Sequence, residues 1–157
     1  AGGFRKMSAA SFISTMTGSL DAKGRVCIPA GFRQILTLQM TNGVYLCPSF
    51  SDPALEGFGQ VLMDKTTERL ATLDPFLSSL HDDLASQIIS ETAQLPIDEN
   101  GRVRLPDAMI AAAQLKERVL FVGMVQKFQI WDPDVYAPIK AKRLEGARAA
   151  RLAGGAV

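Results

Sequence analysis

The stretch Leu20-Asp21-Ala22-Lys23-Gly24-Arg25-Val26-Cys27-Ile28-Pro29 occurs twice in this chain of 157 residues. Its second copy, 77 residues downstream, reads Ile97-Asp98-Glu99-Asn100-Gly101-Arg102-Val103-Arg104-Leu105-Pro106. Five identities and two Leu/Ile exchanges in ten positions mark an internal duplication, which constrains the architecture before any single element does. In each copy, Asp-x-x-Gly-Arg reads as a tight turn. The aspartate can accept from backbone amides inside the turn, and glycine takes a positive φ without a Cβ clash. The residues that follow alternate like a half-buried strand: Val26 and Ile28 face one way, Arg25 and Cys27 the other. In the second copy Val103 and Leu105 oppose Arg102 and Arg104. Pro29 and Pro106 then stop the strand and suit the start of a short helix.

Around the first copy, the pattern predicts a strand over residues 12–16, a helix over 31–38 and strands over 44–47 and 54–58. A helix over 60–73 follows. A second begins near Pro75 or Ser78 and reaches residue 93, with Leu77, Leu80, Leu84 and Ile88 on one face. The second copy is continued by a helix over 107–115 and strands over 119–122 and 127–131. Asp132-Pro133 opens a last helical region that turns basic from Lys140 onward. The chain therefore reads as α+β with a mostly β core, built from two β-β-α-β-β repeats. Neither repeat can bury its strands alone, so the two are expected to interleave into one small barrel with pseudo-two-fold symmetry and flanking helices. The expected division is an N-terminal arm or tag remnant at 1–11, a first repeat with two acidic helices at 12–93, and a second repeat at 94–138. A basic helix with a disordered tail completes it at 139–157.

Bulk properties exclude several classes. Hydrophobic content of 47% supplies a core, yet no apolar run approaches the roughly 20 residues of a membrane span, and no secretory signal is seen. Cys27 and Cys47 form no C-x-x-C and are too few for a disulfide framework, so the expected location is the cytoplasm. The net charge of +1 hides a segregation: residues 1–49 carry +4, residues 50–100 carry −8 and residues 101–157 carry +5. Both motif-bearing segments are basic, which points to a polyanion partner; the simpler reading is scattered solvated charge.

Catalysis finds little support. Two symmetry-related aspartates could form a carboxylate dyad, but each has an arginine four residues on that favours the ionised form, the opposite of what a general acid needs. His81 is the sole histidine, which removes multi-histidine metal sites, and no Ser-His-Asp arrangement is recognisable. Gly57 and Gly59 lack the remaining glycine of a dinucleotide loop. No enzyme, cofactor, metal or small-molecule substrate is expected.

The paired Asp21-Ala22-Lys23-Gly24-Arg25 and Asp98-Glu99-Asn100-Gly101-Arg102 motifs, with Lys127-Phe128-Gln129-Ile130-Trp131-Asp132 late in the second repeat, resemble the MraZ family. The resemblance covers residues 12–138. It implies an AbrB-like swapped-hairpin barrel in which one chain does the work of an AbrB dimer. It also implies ring-like homo-oligomers that bind double-stranded DNA at short direct repeats, in the promoter of the bacterial cell-division and cell-wall gene cluster. A nucleoid-associated transcriptional regulator follows from that. The sequence departs from the family pattern at Asn100, the counterpart of Lys23, and at Met124-Val125-Gln126.

The candidate DNA contacts are Arg25, Lys23, Arg102, Arg104 and Arg33, with Asp21, Gly24, Asp98 and Gly101 shaping the turns. Arginine can grip a phosphate or read guanine through two hydrogen bonds. The competing structural role pairs Arg25 with Asp21 and Arg102 with Asp98 inside each turn; the resemblance favours the DNA role, for Arg25 first. Lys23 sits at a turn tip, and Arg104 shares a strand face with Arg102. An alternative function is an oligomeric scaffold with only weak nucleic-acid binding, using Phe128 and Trp131 as interface anchors.

Overall fold

Four of the six strand pairings in this protein run across the two repeats, and two, one in each repeat, run within them. The computed structural model describes residues 10–154. The first repeat supplies β1 (Thr15–Ser19), β2 (Arg25–Cys27), α1 (Ala30–Leu38), β3 (Val44–Pro48) and β4 (Leu55–Phe58). The second supplies β5 (Ala93–Leu95), β6 (Arg102–Arg104), α4 (Asp107–Ala112), β7 (Arg118–Gly123) and β8 (Phe128–Trp131). Between them lie α2 (Gln60–Leu70) and α3 (Ser79–Leu84), the latter continued by a π-helical turn over Ala85–Ile89; α5 (Pro133–Leu152) closes the chain. The strands form a six-stranded sheet in the order β1-β7-β8-β4-β3-β5 and a separate ribbon β2-β6, and every pairing is antiparallel. Exchanging the two repeats, β1 for β5 and so on, turns the strand order into its own reverse. The duplication in sequence has become a two-fold relation in topology.

The core sits where the repeats meet. Phe12, Phe32, Phe121 and Phe128 are fully buried or nearly so. Phe12, Phe32 and Phe128 have ring centroids 5.0–5.3 Å apart, Phe12 meeting Phe32 edge-on. Val26, Ile28, Val103 and Leu105, the apolar faces of the duplicated motif, join the same cluster. Burying each such large side chain contributes about 1.5–3 kcal/mol relative to exposure. Phe128 and Trp131, candidate interface anchors, are both wholly inside. Trp131 donates from Nε1 to Gln129 Oε1 at 2.9 Å and packs on Tyr136 of α5.

Several elements fall elsewhere than expected. The strand expected at 12–16 starts only at Thr15, because Ser14 adopts φ 72° and breaks the ladder. Phe12 instead pairs with Val125 through two backbone hydrogen bonds of 2.8 and 2.9 Å. The helix expected at 60–73 ends at Leu70. The long helix expected up to residue 93 is shorter: it ends in the π-helical turn at Ile89, and Ala93 already belongs to β5. Three residues of strand carry too little pattern to read, and their pairing with Val44–Leu46 is what fixes them. The helix expected at 107–115 stops at Ala112. Pro29 and Pro106 sit one residue before their helices rather than inside them. The expected boundary between 138 and 139 falls inside α5, which runs through Pro138 without interruption. Asp132 caps that helix, accepting from the amides of Asp134 and Val135. The hydrogen-bonded strands leave sheet edges at β1 and β5, so the ladder is not closed into a barrel. Most of the N-terminal arm, residues 1–9, and the last three residues of the tail lie outside the described residues. Among the described residues no helix is long and apolar enough to cross a membrane.

Candidate nucleic-acid interface

The two Asp-x-x-Gly-Arg turns have the same backbone. In the first, the Asp21 amide donates to the Arg25 carbonyl at 2.9 Å and the Gly24 amide to the Asp21 carbonyl at 3.0 Å. In the second, the Asp98 amide donates to the Arg102 carbonyl and the Gly101 amide to the Asp98 carbonyl, both at 2.9 Å. Gly24 and Gly101 take φ of 78° and 79°, the left-handed conformation that only glycine adopts cheaply. Each aspartate uses one carboxylate oxygen to accept two amides of its own turn: Asp21 from Lys23 and Arg25, Asp98 from Asn100 and Arg102. The amide of the motif arginine is the main cause that holds each carboxyl below its ordinary range.

The turns then place β2 against β6. The register sets Arg25 opposite Arg104, Val26 opposite Val103 and Cys27 opposite Arg102. The valines point into the core, so the other face of the ribbon carries Arg25, Arg102 and Arg104 around Cys27. Cross-strand neighbours on one face lie about 4.5–5.5 Å apart at Cβ, and like charges placed so repel. Two further bonds weld the ribbon to the turns: the Ile28 amide donates to the Gly101 carbonyl at 2.9 Å, and the Leu105 amide to the Gly24 carbonyl at 2.8 Å.

The side chains of the two turns differ. Arg25 donates from Nε to Asp21 Oδ2 at 2.8 Å, an ion pair about one-third exposed. That contact uses the Nε edge of the guanidinium, and among the described residues its two terminal amines have no other acceptor. Arg102 is exposed and makes only its backbone contact with Asp98. The pairing expected as the structural role is thus present in the first repeat, while in the second the bond between Asp98 and Arg102 is through the backbone amide. Lys23 is exposed at the turn tip. Arg33, on α1, is half-buried: it donates from Nε to the Ile28 carbonyl at 3.0 Å and lies over Gly101, where a Cβ would come within 2.7 Å of its guanidinium carbon. Arg33 therefore props the second turn from the first repeat's helix. The register brings together three of the five candidate contacts, Arg25, Arg102 and Arg104; Lys23 stands at one end of the ribbon and Arg33 is engaged beneath the opposite turn.

Sequence reading missed the cross-repeat facing of Arg25 and Arg104, because register between strands 75 residues and more apart leaves no local signal. It also missed a polar network at the far side of the sheet. Gln129, 2% exposed, donates to Glu56 at 2.8 Å and accepts from Trp131 and from Arg143, which also binds Asp52 at 3.0 Å. The polar residue between Phe128 and Ile130 on an alternating strand was its only trace. Among the described residues no group of histidine, cysteine, aspartate and glutamate could hold a metal ion.

The model of the MraZ protein family matches residues 88–153. Three proteins named transcriptional regulator MraZ are similar along most of the chain. The one from Parvibaculum lavamentivorans is 40% identical over 142 residues, 88% of this chain and 88% of that protein. The one from Xanthobacter autotrophicus is 38% identical over 92% of this chain and 91% of its own. The one from Pelagibacter ubique is 37% identical over 82% and 83% respectively.

Proposed function

This chain belongs to the MraZ family, and from that membership we propose that it is a bacterial transcriptional regulator whose DNA-contacting face is the outer side of the β2-β6 ribbon. The observation that carries the reading is the register that sets Arg25 against Arg104, with Arg102 beside them, on an exposed surface. Three guanidinium groups on one narrow ribbon repel one another, and among the described residues Arg25 alone of the three has a carboxylate ion-pair partner, so an external anion would offset the rest. A two-stranded ribbon also has the width to enter the major groove of B-form DNA, where arginine can bind guanine O6 and N7 together. Arg25 is the best-prepared contact. Asp21 fixes its guanidinium in advance, so less side-chain freedom is lost on binding than for an unheld arginine. Lys23 at the turn tip adds a phosphate contact, and Arg33 acts mainly by supporting the Gly101 turn.

The finer parts of the proposal follow from the family. The two interleaved repeats act as an AbrB-like swapped-hairpin unit, supported by a strand order that maps onto itself when the repeats are exchanged. Several copies assemble into a ring, and the ring reads short direct repeats in the promoter of the cell-division and cell-wall gene cluster, one repeat per copy. The chain is a binding protein rather than an enzyme, and its place of action is the nucleoid. Fluorescence anisotropy with a duplex from the chain's own upstream region tests this, against a scrambled duplex and over a range of salt. Expected is tighter binding to the upstream duplex, weakening steeply with salt as counterions are displaced. Equal, weak binding to both duplexes, with an intact oligomer, would instead favour a protein scaffold.

A further inference from the structure

Helix α5 is 20 residues long, about 30 Å at 1.5 Å per residue, yet among the described residues only its first half packs on the body of the protein. Tyr136 and Ile139 join the cluster around Trp131, and Arg143 reaches back to Asp52 and Gln129. Apart from Arg143, every residue from Lys140 to Gly154 is exposed, including Leu144 and Leu152 at 57% and 84%. Such a stretch, with Gly146 in its middle, does not hold a helix by itself: isolated helices shorter than about 12–15 residues are marginal in water, and an interior glycine costs about 1 kcal/mol. At helical spacing, Lys140, Leu144, Arg148 and Arg151 share one side, with Lys142 behind and Glu145 as the sole acid.

The same chain presents the complementary surface. The α2–α3 region exposes Asp64, Glu68, Asp74, Asp82, Asp83 and Glu91 against Lys65 and Arg69. Its connecting segment and α3 expose Phe76, Leu77 and Leu80 at 93%, 88% and 54%, and α3 buries no residue. This segment joins acidic charge to three exposed apolar side chains, the counterpart of a basic helix bearing two exposed leucines.

We propose that the free half of α5 docks on the acidic α2–α3 surface of a second copy of this chain, leucines against Phe76, Leu77 and Leu80 and basic residues against Asp82 and Asp83. The contact is head-to-tail, so it propagates from copy to copy and closes into a ring when the rotation allows. It gives surfaces to the self-association in the proposal above and rests on that part alone, not on the DNA contact.

Mass photometry of the full chain across concentration and salt reads it. Arg148→Glu with Arg151→Glu, and separately Asp82→Lys with Asp83→Lys, should each raise the concentration for half-assembly at least about tenfold, equivalent to about 1.4 kcal/mol, with circular dichroism melting little changed. Mixing the two variants should restore assembly, since the acidic helix of one meets the basic surface of the other. Unchanged assembly in both variants, a monomeric wild type, or failure of the mixture would overturn the inference. Unchanged assembly with weakened DNA binding in the helix variant would assign α5 to nucleic acid instead. Intact DNA binding by the dissociated variants to a duplex with a single repeat keeps the DNA proposal separate from this one.

Discussion

The turns at Asp21–Arg25 and Asp98–Arg102 share their backbone hydrogen bonds, glycine conformation and carboxylate-to-amide contacts, and part ways at the arginine side chain. In the first, the guanidinium is tied to the turn aspartate; in the second it is exposed to solvent. The shared half of the design builds the hairpin, and the half that differs sets how well each arginine is prepared for an anion. The flanking residues follow the same division. Ala22-Lys23 becomes Glu99-Asn100, and Cys27 becomes Arg104, so the second repeat holds more arginine on its strand but a negative rather than a positive turn tip. The chain has kept two copies of a scaffold and loaded them unequally.

The largest expected effect tests that inequality directly. Arg25→Ala should weaken DNA binding more than Arg102→Ala or Arg104→Ala, by on the order of 1–3 kcal/mol per contact. Several copies engaging several repeats multiply the loss through effective concentration. Arg25→Lys should restore the salt dependence but not the sequence preference if the contact is to a base. Anisotropy titrations at matched salt, with melting as a control for folding, settle the ranking; equal losses for Arg25→Ala and Arg102→Ala would break the comparison.

A second test addresses the shared half. Gly24→Ala and Gly101→Ala each place a Cβ at positive φ, and both should lower stability by about 1–2 kcal/mol. Gly101→Ala should cost the more, since its Cβ would come within 2.9 Å of three Arg33 guanidinium atoms, whereas at Gly24 the nearest atom is Ile110 Cδ1 at 3.4 Å. Denaturant unfolding measures both. A larger loss at Gly24 would mean that Arg33 moves aside without consequence and does not support the second turn.

How much of this was legible in advance depends on the range of the interaction. The Asp-x-x-Gly-Arg turn and the inward faces of Val26, Ile28, Val103 and Leu105 are local, and the sequence alone places them correctly. The short helices α1 and α4 follow from the prolines and apolar spacing, with ends that move by up to three residues. β5 was hidden because three residues carry no period, and its neighbours suggested a longer helix. The displaced first strand turns on Ser14, whose left-handed φ has no sequence mark. The ribbon's arginine face was half legible: alternation groups Arg102 with Arg104, but only the tertiary register brings Arg25 across from Arg104. The different fates of Arg25 and Arg102 were not legible, since their turns read alike.

A smaller effect separates the carboxylates. Asp21→Asn keeps an oxygen for the amides of Lys23 and Arg25 but removes the acceptor for Arg25 Nε. DNA affinity should fall roughly two- to five-fold, the scale of an exposed ion pair, while Asp98→Asn leaves affinity nearly unchanged. Equal effects from the two substitutions would show that Asp21 does not position Arg25.

The smallest expected effect is on acid stability. Both Asp21 and Asp98 have carboxyls lowered from 3.8, in each case chiefly by the amide of the motif arginine; Asp21 has in addition the side-chain bond from Arg25. A carboxylate whose folded value is depressed stabilises the protein fully above its unfolded value. That contribution fades as pH falls below about 3.8 and is gone once the pH has passed the lower folded value. Wild type should therefore lose stability between neutral pH and the region below 3.8, with the loss concentrated at the acid end. Asp21→Asn and Asp98→Asn should each flatten that acid limb, because the substituted side chain no longer titrates. Asp21→Asn should flatten it more, since the side-chain bond from Arg25 belongs to the first turn alone. Asp98 is exposed and Asp21 about one-third exposed, so salt should shrink the part that comes from the arginine charge while leaving the amide contacts in place. Melting of wild type and the two variants across pH 2–7, at low and high salt, measures all three slopes. Identical acid limbs for Asp21→Asn and Asp98→Asn at low salt would mean that the Arg25–Asp21 pair adds nothing to the first turn beyond its backbone bonds.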